Sequence, residues 1–573
     1  MKKIIFIGTI ILVISLISVS LVLNNGNKRI GKQHNSTSTN DTTYSQGMVV
    51  SAHPLASKIG LDILKKGGNA IDAAVAVGFG LAVCFPVAGN IGGGGYMMIR
   101  LANGESNALD YREKAPLAAH KDMFLDGNGN FRRKQSTDTH LASGVPGSVD
   151  GLIKAWEKYG NLPFADLIQP AIDMAENGFK ITANQANSLN DAQENLKARN
   201  DPDPIFVKTW RAGDLLIQKD LAKTLTLIRD SGRAGFYSGK TADLIVKEMQ
   251  RGGGIITKTD LDNYSAIWRK PLKVKYKNYN VISMPPSSSG GVALAQLIKI
   301  AENYPIKEWG WHKSKTIQIM VEAERRVYAD RAEFLGDADF YPVPVDSLID
   351  SLYLIERMKD FNIEKATKSS GIQSGNIRIE SEETTHYSIV DRWRNAVSTT
   401  TTINGGYGNK VVIAGAGFIM NSEMDDFSAK PNVPNMYGLL GGKANAIAPG
   451  KRMLSAMTPT IVEKDDKLFM VLGTPGGSTI ITSVFQVFLN VVEHGMGMQK
   501  AVNAKRFHHQ WVPDKVLVEK KAFGLNVITE LKAKGYHVEE RKPIGRVDAI
   551  LIHTNGILEA GADPRGDDAA AGY

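Results

Sequence analysis

The chain changes character at one place, and that break constrains the fold more than anything else in the sequence. Residues 364–383 (EKATKSSGIQSGNIRIESEE) are polar, contain Gly and Ser and are short of large apolar side chains, so they read as loop. Immediately after them TTHYSIVD, the turn residues RWRN and AVSTTTT predict a β-hairpin. Before the break, helical apolar spacing (Ile59, Ile63, Leu64; then Ile71, Ala74, Val75, Gly78) alternates with short strands such as LKVKYKNYNVISMP. After it, VVIAGAGFIMN and TPTIVEKDDKLFMVLG read as further strands and Ser478 to His494 as a helix. The content is mixed helix and strand, and no internal repeat is visible.

With 573 residues, 43% hydrophobic and 22% charged, the chain can bury a large core or several. The formal charge of +9 is spread along the sequence without a basic arm or an aromatic-basic motif, which argues against a nucleic-acid partner. Cys84 is the only cysteine, so one chain can form neither a disulfide nor a cysteine-based zinc site. It lies in AVAVGFGLAVCF and reads as a buried thiol. Residues 1–23 hold two lysines and then an uncharged run, Ile4 to Leu23; both a cleaved signal and a membrane anchor fit it, and either exports the rest. Residues 24–46 read as a flexible linker, with folded sequence from Gly47.

Several stretches carry chemistry. GTPGGST (473–479) follows a strand and opens a helix, so the amides of Gly476 and Gly477 suit an anion or the oxyanion of an acyl-transfer intermediate; a strand-to-helix turn needing glycine is the plainer alternative. The run Gly92–Gly95 has no helix after it and reads as tight backbone packing. Arg112 is a carboxylate clamp or an ordinary surface arginine. Glu423, Asp425 and Asp426 cluster where they bind an ammonium or a metal, or face water. His508 and His509 are adjacent, so on a strand they face opposite sides, and neither HExxH, GxSxG nor a phosphate-binding glycine motif is present. A nucleophile is then sought at Thr384: threonine reacts well only at an N-terminus, where its own α-amine is the base, which requires a cut between Glu383 and Thr384.

In order along the chain, HPLAS, GGNAIDAAVA, GNIGGGG, REKAP, PPSSSGG, TTHYSIVD, MDDFSAKPNVPNMYG, KRMLSAMTPTIV, GTPGGS and FHHQW resemble the gamma-glutamyltransferases of the N-terminal-nucleophile hydrolase superfamily, from about Val49 to Tyr573. The resemblance implies an α+β fold, a four-layer αββα sandwich. It also implies a precursor that cuts itself into a large subunit (47–383) and a small one (384–573), a heterodimer sharing one domain. Thr384 then attacks the γ-glutamyl amide of glutathione or a related small molecule, and water or an amino acid or peptide takes the acyl group. By the same resemblance Thr402 supports Thr384, and Gly476 and Gly477 form the oxyanion hole. Arg112 and Ser455 hold the substrate carboxylate, Asn404, Glu423 and Asp426 its ammonium, and Tyr437 lies in a lid. No metal or cofactor is called for. Ala456 departs from the pair of serines common in bacterial members, which predicts weaker substrate binding or compensation by a backbone amide. Poly-γ-glutamate processing, another acylase activity on this fold, and a membrane-tethered amino-acid-binding protein are the rival readings. The body is expected in a periplasm or at a cell surface.

Overall fold

The computed structural model describes residues 42–372, 384–428 and 442–573; the apolar N-terminal run, Glu383 and Tyr437 lie outside them. Strand periodicity builds two sheets. In the first, strands run in the order Ala569–Gly572, Met48–Ser51, Thr384–Val390, Ala396–Thr402, Gly94–Arg100, Ser106–Asp110 and Ile267–Arg269. In the second the order is Thr43–Tyr44, Leu558–Gly561, Asp548–Ile552, Lys467–Gly473, Thr460–Lys464, Tyr279–Ser283 and Leu272–Tyr276.

Successive side chains on a strand point to opposite faces, and here both faces of both sheets are covered. Met48, Val50, Tyr96, Met98, Val390 and Ala396 of the first sheet meet Ile282, Ile461, Val471, Ile550 and Ile552 of the second in one core. Their odd-parity neighbours Val49, Met97, Ile99, Tyr387, Ile389 and Val397 face outward, into a core shared with helix Ala70–Cys84 and its neighbours. Val281, Val462, Met470 and Leu472 do the same on the other side, against helices Gly290–Glu302 and Thr479–Val492. The layers are therefore helix, sheet, sheet, helix. Ala70–Cys84 is buried at every position, which explains its apolar sequence all round. Its N-terminus is set by a capping box of Asn69 and Asp72.

Two expectations are corrected. Residues 411–420 form no strand, only an isolated bridge between Val412 and Ile419. Gly415 and Gly417 at φ 77° and 78° turn the chain instead. The body also begins earlier than Gly47: Thr43–Tyr44 pairs with Leu558 and Glu559. Backbone pairing needs no apolar side chain, so composition made this segment look like linker. Among the described residues no helix is long and apolar enough to cross a membrane.

Candidate active site

The hairpin of the first sheet sets the geometry. Thr384 is the register partner of Thr402, and each strand continues in step to Val390 and Ala396. Thr384, His386 and Ser388 share a face, as do Thr402, Thr400 and Ser398, and that face looks at the second sheet. Ser388 donates to the Asp548 carbonyl at 2.9 Å and Ser398 to that of Leu472 at 3.0 Å. His386 Nδ1 lies 2.9 Å from Thr400 Oγ1 and its Nε2 3.1 Å from Ser388 Oγ. Burial lowers its pKa to about 3, so the ring is neutral and serves as a spacer rather than a base. Thr384 is one step further along this polar ladder, 7% exposed. The Thr402 hydroxyl accepts the Asn404 amide at 2.8 Å, and Asn404 sits at φ 70°, a left-handed conformation that asparagine tolerates.

Opposite this ladder the strand Lys467–Gly473 ends and the Gly473–Gly477 turn begins. A Cβ on Gly473 would stand 2.3 Å from the His386 ring, so the two sheets approach here only because residue 473 is glycine. The turn therefore leaves the second sheet beside the open end of the hairpin. Gly476 and Gly477 have φ of 132° and 53°, and helix Thr479–Val492 starts directly after them. The turn thus meets both the glycine requirement and the helix-terminus condition for stabilising negative charge.

Arg112 is fully buried and bonds three carboxylates: Glu423 at 2.6 Å, Asp426 at 2.5 Å and Glu113 at 3.3 Å. Arg112 pairs with three acids, two of them buried and Asp426 partly exposed, and even with the Arg331 charge acting on Asp426 the acids outnumber the cations. Desolvation accordingly raises Glu113 to about 7 and Glu423 well above the carboxylate range, with Arg112 opposing the shift and the neighbouring acids adding to it. Desolvation raises Asp426 as well, opposed by Arg112 and Arg331. The cluster faces the hairpin end, since Asn404, whose amide donates to the Thr402 hydroxyl, also donates from Nδ2 to the Ser422 carbonyl at 2.8 Å, next to Glu423. An ammonium group is what this electrostatic balance lacks.

Thr384, Thr402, Asn404, Arg112, Glu423 and Asp426 are thus drawn to one end of the sandwich, with Gly476 and Gly477 across the inter-sheet gap. Ser455 joins through the backbone: Ser289 donates to its carbonyl from N (2.7 Å) and Oγ (2.6 Å), and Leu454 O accepts from Arg112. Its own hydroxyl accepts the Met457 amide at 3.1 Å. Ala456 is 8% exposed and packs into the core beneath. His508 lies apart from the cluster, bonded to Thr482 at 2.9 Å, and Cys84 is buried.

Residue-level reading missed three positioning groups. Glu113 hides beside Arg112. Asn90 donates to the Thr402 carbonyl at 3.0 Å and accepts from Gly93 N at 2.9 Å and Ser148 at 2.8 Å. Asn421 donates to Gly92 O and Gly144 O, both at 2.8 Å. The available signal was an amide side chain beside a glycine run, where close backbones need extra donors. The glycines do pack as expected: a Cβ on Gly93 would stand 2.1 Å from the Thr402 carbonyl and one on Gly95 2.5 Å from that of Thr400.

Residues 56–573 match the family model described as Gamma-glutamyltranspeptidase. The "Glutathione hydrolase proenzyme" of Escherichia coli is 47% identical over 534 residues, 92% of each chain. Among solved structures, a cephalosporin acylase from Bacillus halodurans superposes with a TM-score of 0.83 at 27% identity, covering 93% of this chain and 97% of its own. A Helicobacter pylori gamma-glutamyltranspeptidase chain is 50% identical with a TM-score of 0.56, covering 57% of this chain and 94% of its own.

Proposed function

The chain belongs to the gamma-glutamyltranspeptidase family, and from that premise we propose that it is a glutathione hydrolase made as a proenzyme, with Thr384 the nucleophile of its maturation and of its turnover. The observation that supports this most directly is the placement of Thr384: it opens an inward-facing strand, in register with Thr402, at the end of the ladder that faces the glycine turn. In maturation the Thr384 hydroxyl attacks the Glu383 carbonyl carbon, the peptide C–N bond breaks as an ester forms, and water hydrolyses the ester. This yields a large subunit ending at Glu383 and a small one beginning with a free threonine amine, held together as a heterodimer.

In turnover the amine takes the hydroxyl proton while the oxygen attacks the γ-carbonyl of the substrate. The Gly476 and Gly477 amides stabilise the tetrahedral oxyanion, the amine returns the proton to the leaving amine of cysteinylglycine, and a γ-glutamyl ester remains on Thr384. Water or an acceptor amine then resolves it. Arg112, with the Ser455 region, binds the α-carboxylate; Glu113, Glu423, Asp426 and Asn404 bind the α-ammonium. A zwitterionic head requires a cation and an excess of acid side by side, and the Arg112 cluster supplies both. That pairing favours γ-glutamyl donors over the acyl groups of acylases on the same fold. Export rests on the N-terminal segment, and we place the body outside the cytoplasm, held to a membrane when residues 1–23 are retained.

The test is the mass of the mature protein together with glutathione hydrolysis. Wild-type protein should run as two chains divided between Glu383 and Thr384, and Thr384→Ala as one inactive chain. Two chains from the alanine variant, or hydrolysis by an uncut chain, would refute the mechanism.

A further inference from the structure

The far end of the hairpin carries a feature that catalysis does not use. Asp391 builds the turn: its Oδ1 accepts the amides of Trp393 and Asn395, each at 2.9 Å, and its Oδ2 accepts Ala70 N at 3.0 Å and Asn395 Nδ2 at 2.7 Å. This rigid loop holds Trp393 out, 48% exposed. The Arg392 guanidinium lies 5.2 Å from the Trp393 ring and 5.9 Å from that of Tyr573, and Lys65 Nζ reaches Tyr573 at 5.9 Å. Lys65, Lys66 and Arg392 are all exposed.

The acids near this face are already engaged. Asp62 is bound by Lys58, Glu559 by His553, and Asp391 by the amides of its own turn. The patch is therefore cationic with a tryptophan at its tip. Arg394 also fastens the first residues of the body here, donating to Ser45 O and Gln46 O, each at 3.1 Å. The chain thus enters the fold beside the patch at Ser45, 22 residues after the uncharged run Ile4 to Leu23 ends, and Lys28, Arg29 and Lys32 between the two share the sign of the patch.

We propose that the turn 391–395, with Lys65 and Lys66, is a docking face for an anionic lipid bilayer. Tryptophan favours the headgroup level of a membrane and each nearby Lys or Arg adds attraction to anionic lipid. Each hairpin strand rises about 3.3 Å per residue, so this face lies roughly 20 Å from the Thr384 end. Docked this way, the protein turns its catalytic end towards solvent. The proposal rests on export of the body and not on the chemistry at Thr384.

The full chain is mixed with phosphatidylcholine vesicles carrying brominated acyl chains, with and without phosphatidylglycerol, and tryptophan emission is read. Phosphatidylglycerol should add a component of quenching that Trp393→Phe removes. A triple variant, Lys65→Gln, Lys66→Gln and Arg392→Gln, should weaken that component by about fivefold per cation. Both variants should hydrolyse glutathione as the wild type does. Quenching that is equal in the two lipids, or that survives in Trp393→Phe, overturns the proposal.

Discussion

Glu113 shows how much a single residue decides once its surroundings are known. The acid sits inside the fold, one position from Arg112, and burial holds its pKa near 7. A cation is attracted at full strength only after that proton leaves, so the KM for a γ-glutamyl anilide should fall as pH rises through about 7. Glu113→Gln should raise KM about tenfold, some 1.4 kcal/mol, change kcat less, and flatten that pH dependence. Ala456→Ser restores a hydroxyl beside Ser455; one hydrogen bond to a charged group, about 1.5 kcal/mol, should lower KM roughly tenfold in the same assay. An unchanged KM would mean that backbone amides already supply the missing bond. Arg112 illustrates the limit of residue-level reading: taken singly it looks like surface, whereas it is fully buried.

Among elements, the hairpin and the Gly92–Gly95 run depend on each other. The strand Gly94–Arg100 lies against Ala396–Thr402 along its whole length, and Asn90 closes the end where Thr402 stands. A methyl at position 93 meets the Thr402 carbonyl at 2.1 Å and Asn90 Oδ1 at 2.7 Å. Gly93→Ala should therefore cost about 1–3 kcal/mol, lower Tm and slow conversion of the precursor on a denaturing gel. Gly127, with open space around its Cβ position, is the control, and Gly127→Ala should change neither. The hairpin, the strand pairs and the helix after GTPGGS were legible because their periodicity and turn residues are local. The absent strand over 411–420 was not, because glycine φ values there override an apolar run.

Across the whole molecule, the sheets are held by apolar contact and by buried polar groups, and the latter carry a pH signature. Desolvation raises the pKa of both Asp548, which is fully buried, and Asp568; the Asp568 charge adds to the shift at Asp548 and that of Asp563 to the shift at Asp568, which reaches about 6. Arg546 binds Asp568 at 2.7 Å and its amide donates to Thr474 Oγ1 at 2.8 Å, beneath the glycine turn. For acids with raised pKa, stability is present at low pH and lost as pH climbs through the folded-state value. Asp548→Asn removes one such acid, so the variant should match wild type below the ordinary carboxylate range and exceed its Tm by a growing margin as pH rises above that range. A wild-type Tm equal to that of the variant at every pH would show that burial does not raise the Asp548 carboxyl.

The amino-acid sequence alone determined most of the elements, the order of the motifs and the residue types that the proposed acyl transfer to an N-terminal threonine requires, because turn chemistry, side-chain periodicity and the reactivity of a hydroxyl beside its own amine are properties of short stretches. Tertiary structure decided the charge state of the Arg112 cluster, the neutrality of His386 and the parts played by Glu113, Asn90 and Asn421. Those depend on desolvation and on contacts between segments hundreds of residues apart, and no local pattern encodes how deeply a charge is buried or what faces it.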